Sequence, residues 1–563
     1  MRYHVLACDY DGTLASDGRV FPETVEALKR VRDSGRKLVL VTGRELDQLL
    51  EVFPEIELFE RVVAENGALL YCPVTRKEKI LGNAPPREFA AALEARGLPI
   101  SQGRVIVATW EPHEVATFEV IRDLGLELQV IFNKGAVMVL PSGVNKASGL
   151  AAALAELRLS AHNTVGIGDA ENDHAFLSLC ECSVAVANAL AITKKHADHV
   201  TQKDHGRGVV ELAQALIDDD LAQICVSRHQ IALGKRDDGE EVRIPPYGLN
   251  VMITGTSGAG KSTLATSLLE RLAEEKYQYC IVDPEGDYAS LELNDLVVLG
   301  DNHRAPNPDE VLDLLSEPEQ NAVVNMIGVS IEHRPDFFVK LIPRIQELRD
   351  QTGHPHWVLI DEAHHLLPAA RGEDIARQMR GMIAVTVHPE HVSPEVLSAM
   401  DVVLTIGEEP ENTFRTFSGA IGGRAPEFES RRLSHGEAFV WDRRGAMAPY
   451  WIRTTPPQVE RKRHHRKYME GELAPENSFY FTGPEKKLNL RAQNLTVFMQ
   501  LADGLDDETW DYHFKQGDYA KWFRETLKDD DLASEIEGAR ELTPRDARAL
   551  VKNRIKERYT APE

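Results

Sequence analysis

The stretch VLACDYDGTLASDG, beginning at Val5, ends an apolar run on two carboxylates, Asp9 and Asp11, followed at once by Gly12 and Thr13. Asp-Gly makes ordinary turns, in which the aspartate bonds its own backbone. Three later segments argue for chemistry instead. Thr42 ends KLVLVTGR, Lys146 opens the helical GVNKASGL, and Asp169 and Asp173 lie in IGDAEND behind the apolar TVGI. This set suits phosphoryl transfer to a carboxylate. Asp9 would attack phosphorus to form an aspartyl-phosphate, and Asp11 would protonate the leaving oxygen and later deprotonate water. A dianionic substrate cannot approach bare carboxylates, so a hard cation, Mg²⁺, is expected at Asp9, Asp11, Asp169 and Asp173. Thr42 and Lys146 would hold the remaining phosphoryl oxygens.

A second constellation follows. NVMITGTSGAGKSTLATSLLERL sets an apolar strand, the pattern Gly255-x-x-x-x-Gly260-Lys261-Ser262, and an amphipathic helix in series. In that context backbone N–H groups wrap a β-phosphate, so ATP is the expected ligand of Gly255, Ser257, Gly258, Gly260, Lys261, Ser262 and Thr263. Lys261 would charge the β and γ oxygens, and Ser262 would coordinate Mg²⁺. HWVLIDEAHH adds Asp361, to hold the Mg²⁺ shell through water, and Glu362, to polarise the attacking water.

The elements that must position these residues divide the chain in three. Residues 1–222 alternate short β-rich runs with amphipathic helical ones, the signature of a parallel sheet covered by helices. All the listed positions then fall outside the carboxyl ends of strands, where such sheets bind ligands. An inserted α/β cap is expected over about 83–141. A second α/β unit spans 223–457, entered through GKRDDGEEVRIPPYG as a hairpin or linker. The basic RKRHHRK, 461–467, forms a joint at the start of a mainly helical unit over 458–563. There, aromatics such as Trp510, Tyr519 and Trp522 interleave with Asp506, Asp511 and Asp518, which favours core packing over stacking on nucleic-acid bases.

Composition sets limits. With 563 residues the chain exceeds a single core, and 64 Lys plus Arg against 89 Asp plus Glu give a formal net charge of −25, which repels nucleic acid and anionic membrane on average. The six cysteines show no paired metal-binding spacing and read as free thiols in a reducing compartment. No charged n-region with a long apolar h-region opens the sequence, and no apolar run of about 18 residues follows. A cytoplasmic location without membrane partners is expected.

DYDGT, VTGR, the Asn145-Lys146 pair and GDAEND, in this order, resemble the haloacid dehalogenase superfamily of phosphatases, and the cap between the second and third motifs resembles its C2-capped, Cof-like branch. That resemblance implies a Rossmann-like core and a small phosphorylated metabolite, such as a sugar phosphate or a phosphoglycolate-like compound, as substrate. Glu65, Asn66 and Gly67 resemble a segment common in this branch, although Asn-Gly is also a plain turn. VDPEGDY, HPHWVLIDEAHHLLP and IAVTVHPEHVSPEVL resemble the HerA-like branch of FtsK-type ATPases. This implies a RecA-like ATP-binding domain, a hexameric homo-oligomer, and an arginine finger, with Arg380 and Arg424 as candidates. His388 stands where the branch usually has a glutamine sensor. The leading expectation is a Mg²⁺-dependent phosphatase fused to an ATPase that regulates or assembles it. The alternative is a ring ATPase that translocates DNA, with the phosphatase acting on nucleotides or nucleic-acid ends; a nucleotide-bound scaffold is the third.

Overall fold

A computed structural model of the chain describes residues 1–256, 258–367, 380–445, 447–458, 468–469, 473, 478–527, 529–539 and 542–559. The RKRHHRK joint lies outside them.

The first sheet has eight strands in the order His199–Val200, Cys182–Ala185, Thr164–Gly168, Val5–Asp9, Lys37–Val41, Arg61–Ala64, Leu69–Cys72 and Lys77–Ile80. The first six run parallel and the last two return antiparallel. VLACD and TVGIG are buried at every residue, as strands covered on both faces require. One face packs on the helices Pro22–Asp33 and His205–Asp219 through Leu28, Val31, Val209 and Leu216, and the other on Lys146–Leu157 through Leu150 and Leu154. Register matters most for the site. Asp9 sits beside Val41, and Cys8 beside Ile167, so three neighbouring strands deliver Asp9, Thr42 and Asp169 to one edge.

Between the strand Lys77–Ile80 and the helix Lys146–Leu157, a four-stranded antiparallel sheet, Leu128–Asn133, Ala136–Pro141, Val107–Trp110 and Ser101–Gln102, carries the helices Arg87–Ala95 and Glu114–Asp123 with its own small core around Phe89 and Leu93.

The second large sheet has eleven strands. Seven are parallel, in the order Val402–Ile406, Asn250–Gly255, Met382–Thr386, Trp357–Ile360, Tyr279–Asp283, Asn321–Asn325 and Leu296–Leu299. Four antiparallel strands extend one side, two of them a hairpin, Ile231–Lys235 with Glu241–Ile244, whose turn and second strand lie in the GKRDDGEEVRIPPYG segment. Beyond it, a two-stranded ribbon, Phe479–Phe481 with Leu490–Ala492, leads into helices that bury Phe498, Trp510, Tyr519 and Phe523 together. Those rings fill a core, as the interleaved acids favour.

The two large sheets meet at the amino ends of their strands. The segments before Thr164–Gly168 and Cys182–Ala185 contact those before Tyr279–Asp283 and Trp357–Ile360: the Tyr277 hydroxyl donates to Glu181 at 2.8 Å, and His356 Nε2 lies 3.1 Å from Asn163 Oδ1. Since each five-residue strand advances about 16 Å, the two carboxyl-end crevices open away from this seam.

Candidate functional site

The carboxyl-end crevice of the first sheet gathers Asp9, Thr42, Lys146, Asp169 and Asp173, each at most 3% exposed. Asn145 caps the helix Lys146–Leu157 by accepting from Ala147 and Ser148 N–H, which fixes Lys146 at its first turn. From there Lys146 Nζ reaches Asp9 Oδ1 at 2.5 Å and Asp173 Oδ1 at 2.6 Å. The other oxygen of Asp173 accepts from the backbone N–H of Asp169 and Ala170, at 2.8 Å each, so Asp173 shapes the loop that presents Asp169. Burial, and then the Asp173 charge, push the Asp9 carboxyl well up; the Lys146 ammonium opposes both.

The donor set fits a hard divalent cation. Asp9, Asp169 and Asp173 each offer an oxygen within 4.8 Å of the others'. In this structure an ammonium stands against them: Lys134, from the turn between the cap strands Leu128–Asn133 and Ala136–Pro141, places Nζ 2.5 Å from Asp169 Oδ2 and 3.4 Å from the Asp11 backbone oxygen. Gly12, at φ +87°, keeps the space open, because a Cβ there would fall 2.4 Å from both Asp169 Oδ2 and Lys134 Nζ. Three carboxylates facing two ammonium groups leave a deficit of positive charge that a cation would meet.

The Asp11 carboxylate is not part of this trio. Arg44 grips it from both sides, Nε to Oδ2 and Nη2 to Oδ1, at 2.7 Å each. The Thr42 hydroxyl accepts from Arg44 N–H at 3.1 Å and ties the same turn. Glu65 holds the cap, its carboxylate accepting from the N–H groups of Arg104, Val105 and Ile106 at 2.8–3.0 Å. Asn66 Oδ1 accepts from Asn172 Nδ2 at 3.0 Å. Asn66 Nδ2, Asn133 Oδ1 and Asn172 Oδ1 are buried with no hydrogen-bond partner among the described residues. Asn133 and Asn172 both border Gly43, where a Cβ would lie 4.0 and 3.7 Å from their Nδ2 atoms. Unpaired buried amides between cap and core are costly unless a ligand satisfies them.

In the second sheet the strand Asn250–Gly255 runs into the loop and the helix Lys261–Glu274. Gly255, at φ +145°, lies against the next strand, where a Cβ would fall 2.0 Å from the Ile406 oxygen; Gly258 and Gly260 also take positive φ. Ser257 lies outside the described residues. Lys261 Nζ donates to the backbone oxygens of Thr256 at 2.9 Å and Gly255 at 3.2 Å, folded over the loop it would serve. Ser262 is half-buried and Thr263 exposed at the start of the helix.

Asp361 is buried at the end of Trp357–Ile360, beside the strand that ends at Asp283. Burial, followed by the Asp361 charge, pushes Asp283 up to about 7. Glu362, in a left-handed conformation at φ 43°, lies 3.4 Å from His364 Nδ1. Burial and the neighbouring His365 lower His364 to about 4. His388 follows the strand Met382–Thr386, bonded through its N–H to Thr386 Oγ1 at 3.0 Å, with Nδ1 on Glu390 at 3.0 Å. Arg380 sits at the seam end of that strand, donating to the Gly248 oxygen at 3.5 Å, and Arg424 is exposed and pairs with Glu427.

Sequence reasoning assigned no role to Arg44, Lys134, Asn133, Asn172 or Asp283. Arg44 directly follows Thr42-Gly43 and Asp283 ends a strand as Asp361 does, which are readable signals. Lys134 and Asn133 sit in an ordinary cap turn, and only the fold carries them to Asp169.

Residues 6–92 and 117–212 match the haloacid dehalogenase-like hydrolase family model. A phosphoglycolate phosphatase from Methanothermobacter thermautotrophicus is 31% identical over 215 residues, 37% of this chain and 95% of the relative. A phosphoglycolate phosphatase from Natronomonas pharaonis is 31% identical over 37% of this chain and 94% of its own length. A solved haloacid dehalogenase-like hydrolase from Bacteroides thetaiotaomicron aligns at 18% identity and TM-score 0.35, over 38% of this chain and 99% of that structure. The chain thus belongs, through its first unit, to the haloacid dehalogenase-like hydrolases, in their Cof-like branch. Residues 249–340 match the central domain of the helicase HerA, so this hydrolase is fused to a HerA-like domain.

Proposed function

We propose that the chain is a bifunctional enzyme, divided near residues 222 and 457, in which a Mg²⁺-dependent phosphatase is joined to an ATP-hydrolysing domain that regulates or assembles it. The observation that carries the phosphatase reading is Lys146 bridging Asp9 and Asp173 beside Asp169. Asp9 attacks the phosphorus of a phosphomonoester and becomes an aspartyl-phosphate. Asp11, whose carboxylate Arg44 positions, takes up a proton from solvent, gives it to the leaving oxygen and then takes one from the water that releases phosphate. Lys146 and Thr42 hold phosphoryl oxygens. Asp9, Asp169 and Asp173 would hold Mg²⁺, which supplies the positive charge that lets a dianion approach three carboxylates.

The amides of Asn66, Asn133 and Asn172, with the Lys134 ammonium, suit a small organic group bearing carboxylate or hydroxyl oxygens. This agrees with the phosphoglycolate phosphatases among the relatives, and phosphoglycolate and small sugar phosphates are the substrates to try first. The experiment measures phosphate release from a panel of phosphorylated metabolites, nucleotides and end-phosphorylated oligonucleotides, with Asp9→Asn beside the parent. Turnover on small carboxylated or hydroxylated phosphomonoesters that vanishes in Asp9→Asn supports the reading; release unaffected by Asp9→Asn refutes it.

In the second unit, Lys261, Ser262, Asp361 and Glu362 are read as ATP-hydrolysing residues, with His388 as the sensor. The HerA match also favours a second reading, a hexameric ring that moves DNA. The net charge of −25 weighs against it. ATP turnover stimulated by DNA and steeply lost at high salt would favour the translocase; indifference to DNA favours the regulatory domain.

A further inference from the structure

We propose that the seam between the two large sheets holds a metal site for an ion of the Zn²⁺ class, with His162 Nδ1, Glu181 Oε2 and His229 Nε2 as its ligands. One ring nitrogen of each histidine and one Glu181 carboxylate oxygen lie within 4.8 Å of one another, and the side chains are 8%, 1% and 15% exposed. Neither unit supplies the set alone. His162 precedes the strand Thr164–Gly168 and Glu181 the neighbouring strand Cys182–Ala185 of the first sheet, whereas His229 leads into Ile231–Lys235 of the second.

Glu275 orients the His162 ring: its backbone oxygen takes His162 Nε2 at 2.6 Å, while its carboxylate stands nearby, 3.6 Å from His229 Nδ1. Histidines that bind metal typically commit the second nitrogen in this way, to a carbonyl or a carboxylate. His162 Nδ1 and His229 Nε2 are left to converge on Glu181. His229 Nε2 is buried and has no hydrogen-bond partner among the described residues, an unusual state for a buried ring nitrogen.

Arg2 occupies the other Glu181 oxygen, Oε1, at 2.6 Å, and the Tyr277 hydroxyl donates to Oε2 at 2.8 Å. An incoming ion replaces the proton that His162 Nδ1 and Glu181 Oε2 share across 2.7 Å, with a small rotation of the carboxylate to open that gap. Two imidazoles and one carboxylate suit Zn²⁺; Mg²⁺ prefers an all-oxygen shell. A bound ion would pin the two units together at this contact. This inference does not depend on either unit's activity.

The test uses the full-length chain, stripped with a chelator and supplied with excess Mg²⁺ to cover the carboxylate site. Zn²⁺ is titrated against a chromophoric chelator, and Co²⁺ is followed by its visible spectrum. The parent is expected to bind one equivalent that His229→Ala binds about 100-fold or more weakly, with stronger Co²⁺ bands in the parent and Zn²⁺ raising the Tm of the parent only. His229→Gln, closer in volume, serves if His229→Ala does not fold. Equal stoichiometry and affinity in parent and folded variant, or a Co²⁺ spectrum that the substitution leaves unchanged, overturns the proposal.

Discussion

The Arg44 guanidinium holds both oxygens of the Asp11 carboxylate, at 2.7 Å each, so the residue read as proton donor is aimed by this neighbour rather than by the Asp9, Asp169 and Asp173 trio. A donor released from that fork loses orientation before it loses chemistry. Arg44→Ala should lower kcat roughly 10- to 100-fold on alkyl phosphates, whose leaving oxygen needs a proton. On p-nitrophenyl phosphate, whose leaving group departs unaided, the drop should be several-fold at most. A uniform drop on both would show that Arg44 serves binding or folding instead.

Lys134 competes with a cation for Asp169 in the arrangement seen here. Lys134→Ala should therefore reach half-maximal activity at a lower Mg²⁺ concentration than the parent, while its KM for a carboxylated phosphomonoester rises. Titrating Mg²⁺ at fixed substrate, and then substrate at saturating Mg²⁺, separates the two effects. An unchanged Mg²⁺ requirement would remove Lys134 from the site.

The seam should weaken in mild acid. His356 is buried, its Nδ1 accepts from Gln278 N–H at 3.0 Å, and burial, followed by the nearby His162 charge, holds it well below its ordinary value. Because the folded ring resists a proton that the unfolded ring accepts, the unfolded state binds more protons below about pH 6.5. The stabilisation is complete above that pH and declines as pH falls. Melting curves between pH 8 and pH 5 should show a falling Tm, on the order of 1.4 kcal/mol of stability per pH unit at most for one such ring. His356→Gln should start less stable and lose less. A Tm that rises with acidity would contradict the assignment.

Since both carboxyl-end crevices open away from the seam, no product passes directly from one to the other. Lys261→Ala should abolish ATP hydrolysis, while phosphatase turnover without nucleotide stays within about twofold of the parent. Any effect of ATP on the phosphatase should vanish in the same variant. Loss of nucleotide-free phosphatase turnover in Lys261→Ala would contradict this separation.

Much of this was legible in the chain. Asp9, Thr42 and Asp169 each stand at the end of a run such as VLACD or TVGIG, and a parallel sheet must bring such ends together. Lys146 was legible because Asn145 announces a helix start. What was not legible arises where side chains far apart in sequence meet without periodicity. The Arg44 fork on Asp11, the Lys134 turn that reaches across from the cap, and His162 between Glu181 and Glu275 depend on how layers dock, which no local pattern encodes. The aromatics near Trp510 were readable in kind, through their acidic neighbours, but their packing around Phe498 was not.

The central claim is that Asp9 is transiently phosphorylated, and acid quenching during turnover, followed by borohydride reduction and peptide mass spectrometry, tests it most directly. The account predicts homoserine at position 9, present with substrate and absent in Asp9→Asn. Turnover without any reducible adduct at Asp9, or an adduct on a different carboxylate, would contradict it.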